Sequence, residues 1–208
     1  MRSFSTTDKI IQNLSFVCQQ DAATISYPEA LYDLNHDNEL SLQEKKRSGR
    51  LMRVNHCGEI CAQGLYLGQA VGGSAPLVIE ELNQSAEEEK QHFFWCLKRL
   101  NELETTPSQL AGFWFLTSFL MGYLIARNGD EHSLGFLEET EKQVGQHLID
   151  YIEYLPPKDL NSRIVMERMY LDEIQHSEKA QRLGARKLNH IEKLAMNITA
   201  RLMKLICY

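Results

Sequence analysis

Two tetrapeptides of the same design, Glu89-Lys90-Gln91-His92 and Glu173-Ile174-Gln175-His176, constrain this chain more than anything else in it. Each falls inside a run with the 3.6-residue period of an amphipathic helix. The first stripe reads Val78, Leu82, Ser85, Glu89, His92, Cys96, Leu100, and the second Met166, Met169, Glu173, His176, Ala180, Leu183. In both, a carboxylate and an imidazole three residues apart sit on the face that should bury apolar side chains. An unpaired carboxylate in such a place costs several kcal/mol, so these groups must be paired or bound to metal. One such motif is often a helix-surface pair; two, on two apolar stripes, point to a built site.

Each motif has a single glutamate about thirty residues upstream. Glu59 lies on the stripe Leu51, Asn55, Glu59, Ala62, Tyr66, Gln69, and Glu141 on Leu134, Leu137, Glu141, Val144, Leu148, Tyr151, Leu155. Turn signals divide the chain into six helices. Ser41-Leu42-Gln43-Glu44 is a capping box opening a helix that runs to Gly72-Gly73. Ser74-Ala75-Pro76 starts the second, which ends near Glu104 to Pro107. An apolar third helix covers Leu110 to Ala126, and a fourth runs from about Asp130 to Leu155, stopped by Pro156-Pro157. Asn161-Ser162 is expected to cap a fifth ending near Gly184. A sixth, about Leu188 to Ile206, sets Leu194, Ile198, Leu202 and Leu205 on one side.

Hairpin register decides whether the four elements can meet. Glu59 lies thirteen residues before Gly72, and Glu89 thirteen after Pro76; for Glu141 and Glu173 both counts are near fourteen. At about 1.5 Å per residue, each glutamate comes level with its Glu-x-x-His partner roughly 20 Å from the turn. Four carboxylates and two imidazoles suit two first-row metal ions. Two divalent cations offset four carboxylates, which is how such charges can occupy a core. This is the constellation of ferritin-like di-iron and di-manganese carboxylate bundles. Iron is favoured over manganese, because two ferrous ions together can supply electrons to dioxygen. The expected fold is therefore all-α, a ferritin-like four-helix bundle with additional apolar and amphipathic helices.

At 208 residues the chain is most simply one domain, over 41–208, preceded by a poorly patterned segment, 1–40, in which Asn35 to Asn38 reads as loop. No secretory signal or transit peptide is evident before Phe16. The net charge of −6 argues against nucleic acid as a partner. Five cysteines without a paired framework suit a reducing compartment, and Cys57 and Cys61 read as small buried residues rather than thiolate ligands. The stretch from Leu110 to Ala126 has seventeen residues without a charge, short for a membrane span; it reads as a buried helix or one lying against lipid.

From Arg53 to Ala70 the sequence RVNHCGEICAQGLYLGQA resembles the first-helix signature of the demethoxyubiquinone hydroxylases, di-iron monooxygenases of ubiquinone biosynthesis. Glu87 to His92 with Trp95-Cys96, Ser133 to Phe136 leading to Thr140-Glu141 and His147, and Asp172-Glu173 with His176 are similar to that family in the same order, over about residues 41–208. The resemblance implies that Glu59, Glu89, His92, Glu141, Glu173 and His176 are catalytic iron ligands. It implies hydroxylation of the ring of a polyprenyl demethoxy-quinol with O2, using electrons from NADH or the reduced quinol. No Gly-rich nucleotide fingerprint occurs, so no stably bound nicotinamide or flavin is expected. The resemblance also implies a membrane surface as partner, through the apolar third helix and the sixth, and a peripheral position on the cytoplasmic face of the bacterial inner membrane. A homo-oligomer or a ubiquinone-biosynthesis complex is compatible with it.

Several residues remain open at this level. Glu138 competes with Glu141, but the apolar stripe favours Glu141. His56 reads as a hydrogen-bonding neighbour rather than a ligand, and Tyr66 as core. His147 is a partner to a ligand or a core histidine; Asp172 orients an imidazole or is solvated; His36, His132 and His190 read as surface. Cys57 adjoins Glu59 and should point away from the site. The alternatives are another ferritin-like protein, a ferroxidase or tRNA-modifying hydroxylase, and a non-catalytic quinone- or lipid-binding assembly protein. Storage would need a polar-lined multimer and tRNA a basic face, and neither suits an uncharged apolar helix in an acidic chain.

Overall fold

The computed structural model describes residues 40–208, so the loop reading of Asn35 to Asn38 lies outside the described residues, as do His36 and the first 39 positions generally. Six helices follow in order: α1 (Leu42–Gly72), α2 (Pro76–Glu102), α3 (Ala111–Ala126), α4 (Asp130–Tyr154), α5 (Leu160–Arg182) and α6 (His190–Cys207). α1, α2, α4 and α5 form the ferritin-like four-helix bundle, as two antiparallel hairpins joined by a long crossover that carries α3. α1 opens with the expected capping box: the Ser41 backbone N–H donates to Glu44 Oε2 at 2.8 Å and the Glu44 N–H donates to Ser41 Oγ at 3.3 Å. The start of α2 is capped from a distance, by the Asp130 carboxylate at the head of α4. It accepts from the Ser74 N–H at 3.1 Å, the Ser74 hydroxyl at 2.6 Å and the Ala75 N–H at 3.0 Å.

The cap of α5 differs from expectation. Asp159, not Asn161 or Ser162, holds the helix start, its Oδ1 accepting from the Ser162 N–H at 3.0 Å. The reason is a fully buried guanidinium. Arg99, near the end of α2, donates to Asp159 Oδ1 at 2.8 Å and to Ser162 Oγ at 2.8 Å. One carboxylate thus caps a helix and neutralises a buried cation, tying the lower end of α2 to the α4–α5 turn.

α3 runs parallel to α1 and almost touches its backbone. A Cβ on Gly68 would lie 2.1 Å from the Phe119 carbonyl oxygen, and one on Gly122 2.3 Å from that of Leu65. Glycines at 64, 68 and 72, one turn apart, make α1 flat along this seam. Trp114 and Phe115 fill the space between α3 and α1 together with Phe93 and Leu97 of α2. The opposite face of α3 stays in the open, with Phe113, Leu116, Leu120 and Leu124 exposed. α3 is therefore half core and half bare, and among the described residues no helix is long and apolar enough to cross a membrane. α6 begins in an unexpected second capping box, Asn189 with Glu192, and carries Leu194, Ile198, Leu202 and Leu205 outward.

Candidate metal centre

The four bundle helices put their polar stripe positions at one level. Glu59 comes from α1, Glu89 and His92 from α2, Glu141 from α4, Glu173 and His176 from α5, and all six are buried. The register counted along the hairpins is realised. Two quartets form, Glu59–Glu89–His92–Glu173 and Glu89–Glu141–Glu173–His176, and in each the candidate ligand atoms lie within 4.8 Å of one another. Glu89 and Glu173 belong to both. Each quartet therefore has one histidine and one private glutamate, and the two shared carboxylates lie between them.

Both imidazoles turn Nδ1 inward and anchor Nε2 outside the cluster. His92 Nδ1 lies 3.1 Å from Glu89 Oε2, while its Nε2 meets Asp172 Oδ2 at 3.2 Å. His176 Nε2 meets Glu88 Oε2 at 2.9 Å. An outer carboxylate on the far nitrogen fixes the ring and its tautomer, and raises the basicity of the inner nitrogen. Asp172 thus orients His92, and Glu88, which the sequence reading had not singled out, plays the same part for His176. Tyr66 is also placed differently from expectation. It is buried, but its hydroxyl donates to Glu141 Oε1 at 2.9 Å, so it belongs to the site and not only to the core.

Several inner atoms are left without hydrogen bonds: Glu59 Oε2, Glu89 Oε1, Glu173 Oε2 and His176 Nδ1. His176 Nδ1 and Glu89 Oε1 are only 2.8 Å apart, yet the contact lacks hydrogen-bond directionality. Buried carboxylate oxygens converging on one region without a hydrogen-bond donor fit a bound cation.

Electrostatics give the same picture. Burial, then the charge of Glu89, pushes the Glu59 carboxyl well above the usual carboxylate range. Burial, then Glu173, does the same to Glu141. For Glu89, burial is outweighed by the charge of His92 and the close approach of His176, which hold it low. Glu173 faces burial and the charge of Glu89, yet its contacts with Glu141, His176 and His92 keep it below its ordinary value. Burial would lower both histidines, but the carboxylates prevail: His92 is raised, with Glu89 the main cause, and His176 is pushed up to about 12 by Glu173 and Glu89. Protons on the Glu59 and Glu141 carboxyls and on the imidazoles thus offset the other carboxylates in the absence of metal. Two divalent cations would do the same for four carboxylates with neutral rings, and their binding would release those protons.

The remaining candidates lie outside both quartets. Glu138 is buried but paired with Lys142. Among the described residues His56 has no hydrogen-bond partner on either ring nitrogen; it packs on Phe93 with centroids 4.5 Å apart, and burial lowers it to about 3. The hydrogen-bonding role expected of it is not found. His147 is half-buried, sits edge-on to the Tyr151 ring with centroids 3.8 Å apart, and desolvation lowers it to about 3; it belongs to neither quartet. His190 is exposed, whereas His132 is half-buried and pairs with Glu192 at 2.9 Å.

Residues 46–207 match the family described as ubiquinone biosynthesis protein COQ7. A protein of Chromobacterium violaceum named 3-demethoxyubiquinol 3-hydroxylase is 46% identical over 165 residues, covering 79% of this chain and 80% of its own length. One of the same name from Coxiella burnetii is 46% identical over 169 residues, 81% of this chain and 79% of the relative. Another, from Francisella tularensis, is 39% identical over 209 residues, spanning 100% of this chain and 99% of the relative.

Proposed function

The chain belongs to the family of the ubiquinone biosynthesis protein COQ7, and from that premise we propose that it is a di-iron monooxygenase that hydroxylates the ring of a polyprenyl demethoxy-quinol, as a 3-demethoxyubiquinol 3-hydroxylase. The observation that carries the reading is the pair of buried quartets sharing Glu89 and Glu173. In this reading Glu59, Glu89, His92, Glu141, Glu173 and His176 are the iron ligands. The reaction converts a ring C–H to C–OH; the second oxygen atom of O2 leaves as water, with two electrons and two protons from a reductant, NADH or reduced quinol. Two ferrous ions, when bound, supply the redox chemistry that makes O2 reactive toward the electron-rich ring.

The protein's own groups do the rest. Glu89 and Glu173 stand between the two positions and would hold both ions; Glu59 with His92 and Glu141 with His176 complete each one. Asp172, Glu88 and Tyr66 fix the orientation of ligands from outside. Leu82, Cys96, Met166 and Met169, all buried on the stripes above and below, keep bulk water from the site. The bare faces of α3 and α6 suit a substrate with a polyprenyl tail, since a protein docked on a bilayer through them can take up quinol without extracting it into water. A peripheral position on the cytoplasmic face of a bacterial inner membrane follows from the same reading.

The test is direct. Ferrous-loaded protein given demethoxy-quinol, reductant and air should yield a product heavier by one oxygen atom, labelled when the gas is 18O2. Glu89→Gln should yield none. Absence of hydroxylated product from iron-loaded protein would refute the assignment.

A further inference from the structure

Cys57 and Cys207 are 150 positions apart in the chain, yet their Sγ atoms lie 2.6 Å apart. Both are buried and both are free thiols. That approach is well inside the contact distance of two sulfurs, and only about 0.6 Å beyond a bonded pair. Neither belongs to the metal quartets. Packing alone would be served by alanine or serine at these places; two thiols in contact have a chemistry those residues lack.

The position of the pair gives that chemistry a consequence. Cys207 is the one fully buried residue of α6. The helix is otherwise held by Met203 against the cluster containing Cys57 and Trp114, by His132–Glu192 and Lys193–Glu139 near its start, and by Arg50 over the Tyr208 ring at 5.5 Å. Cys57 lies mid-way along α1, two residues before Glu59. A bond between the two would tie the outermost helix to the helix that carries a metal-site carboxylate.

We propose that Cys57 and Cys207 are an oxidation-sensitive pair that closes to a disulfide with a two-electron oxidant of the peroxide class, fastening the end of α6 to α1. Cys207 reacts first. Its contact with Cys57, aided by Ser108 and Trp114 against the effect of burial, holds its thiol down to about 7, so the thiolate is abundant at neutral pH. It attacks one peroxide oxygen; the O–O bond breaks, a sulfenic acid forms and one water leaves. The Cys57 sulfur then displaces the second oxygen as water and the S–S bond forms. Two thiols lose two electrons and two protons, and hydrogen peroxide becomes two waters. This inference is independent of the hydroxylase reading.

The full chain, metal-loaded, is treated with a few equivalents of hydrogen peroxide, alkylated, and mapped by peptide mass spectrometry without reductant. The expected result is one intrachain peptide pair joining Cys57 to Cys207, two hydrogens lighter than its parts, reversed by dithiothreitol and absent in Cys207→Ser. Amide exchange in the last turn of α6 should slow about tenfold or more on oxidation and return on reduction. Both thiols remaining alkylatable, Cys207 advancing to sulfinic acid without a cross-link, Cys207 joined to Cys61, or a cross-link only between chains would each overturn the proposal.

Discussion

The middle of the bundle and its outer helices depart from the usual arrangement in opposite directions. Where α1, α2, α4 and α5 meet, the interior holds four carboxyls and two imidazoles, with Glu89 only 1% exposed. On α6 the surface holds oil, with Ile191 79% and Leu205 77% exposed, and α3 adds Phe113 and Leu124. Isolated apolar side chains on a surface are ordinary, but rows of them along two helices are not, and buried ionisable groups always need an offsetting partner. The two regions teach one lesson: in the proposed reading each is completed from outside the chain, by a pair of cations in the first and by a bilayer surface in the second.

The largest effect that could break this comparison is loss of a shared ligand. Glu89→Gln should abolish binding of both ions and lower hydroxylation by more than about 100-fold, beyond the losses typical of groups one step from the metal. Glu59→Gln removes a private ligand and should leave one ion tightly held. Metal analysis of reconstituted variants separates the two outcomes; equal losses would mean that Glu89 is not shared.

For the outer region, Ile198→Glu combined with Leu202→Glu should weaken binding to anionic phospholipid vesicles by about 100-fold. Each buried leucine or isoleucine is worth about 1.5–3 kcal/mol, roughly a factor of ten or more. Sedimentation with vesicles reads this, and the melting temperature should hardly move because the sites are solvated in the free protein. Unchanged vesicle binding would show that α6 faces something other than lipid.

A smaller effect sharpens the interior half. Tyr66→Phe deletes the hydrogen bond to Glu141 and nothing else, and should weaken the ion on the Glu141–His176 side about tenfold. The Glu59–His92 side should be unaffected. Competition with a chelating dye would resolve the two steps.

The pH dependence of the metal-free chain is a further check. Glu59, Glu141, His92 and His176 all hold protons more tightly folded than unfolded, so the stability they contribute at low pH is lost as pH rises. For the histidines that loss begins near 6.5 and, for His176, continues to about 12. Neutral His56 and His147 act in reverse, but their contribution is lost as pH falls from 6.5 toward about 3 and is complete above 6.5. Cys207 opposes the trend in part above 7. The melting temperature of metal-free protein should therefore fall by about 5 °C between pH 6.5 and 9, and that of metal-loaded protein should change little.

Much of the interior is legible in the sequence, because helical period and hairpin length are local properties. Counting from Gly72 and Pro76 is enough to bring Glu59 level with Glu89. What could not be read depends on contacts between distant segments. Tyr66 looked like core because an aromatic on an inward stripe usually is; its hydroxyl partner lies 75 positions on. Asp159 was missed as a cap because its second role depends on Arg99, 60 positions earlier. Glu88 carries no local signal of its role, because its partner His176 lies on another helix, 88 positions on. The glycines at 64, 68 and 72 did carry a signal, a one-turn repeat of the smallest residue, which foretells a backbone packed close against α1.

The most direct measurement of the central claim is anomalous diffraction at the iron edge on ferrous-loaded crystals. Two peaks about 3.5–4 Å apart, with Glu89 and Glu173 between them and Glu59, His92, Glu141 and His176 around them, are the predicted result. Folded, iron-treated protein showing a single peak, or none within reach of these six side chains, would contradict it.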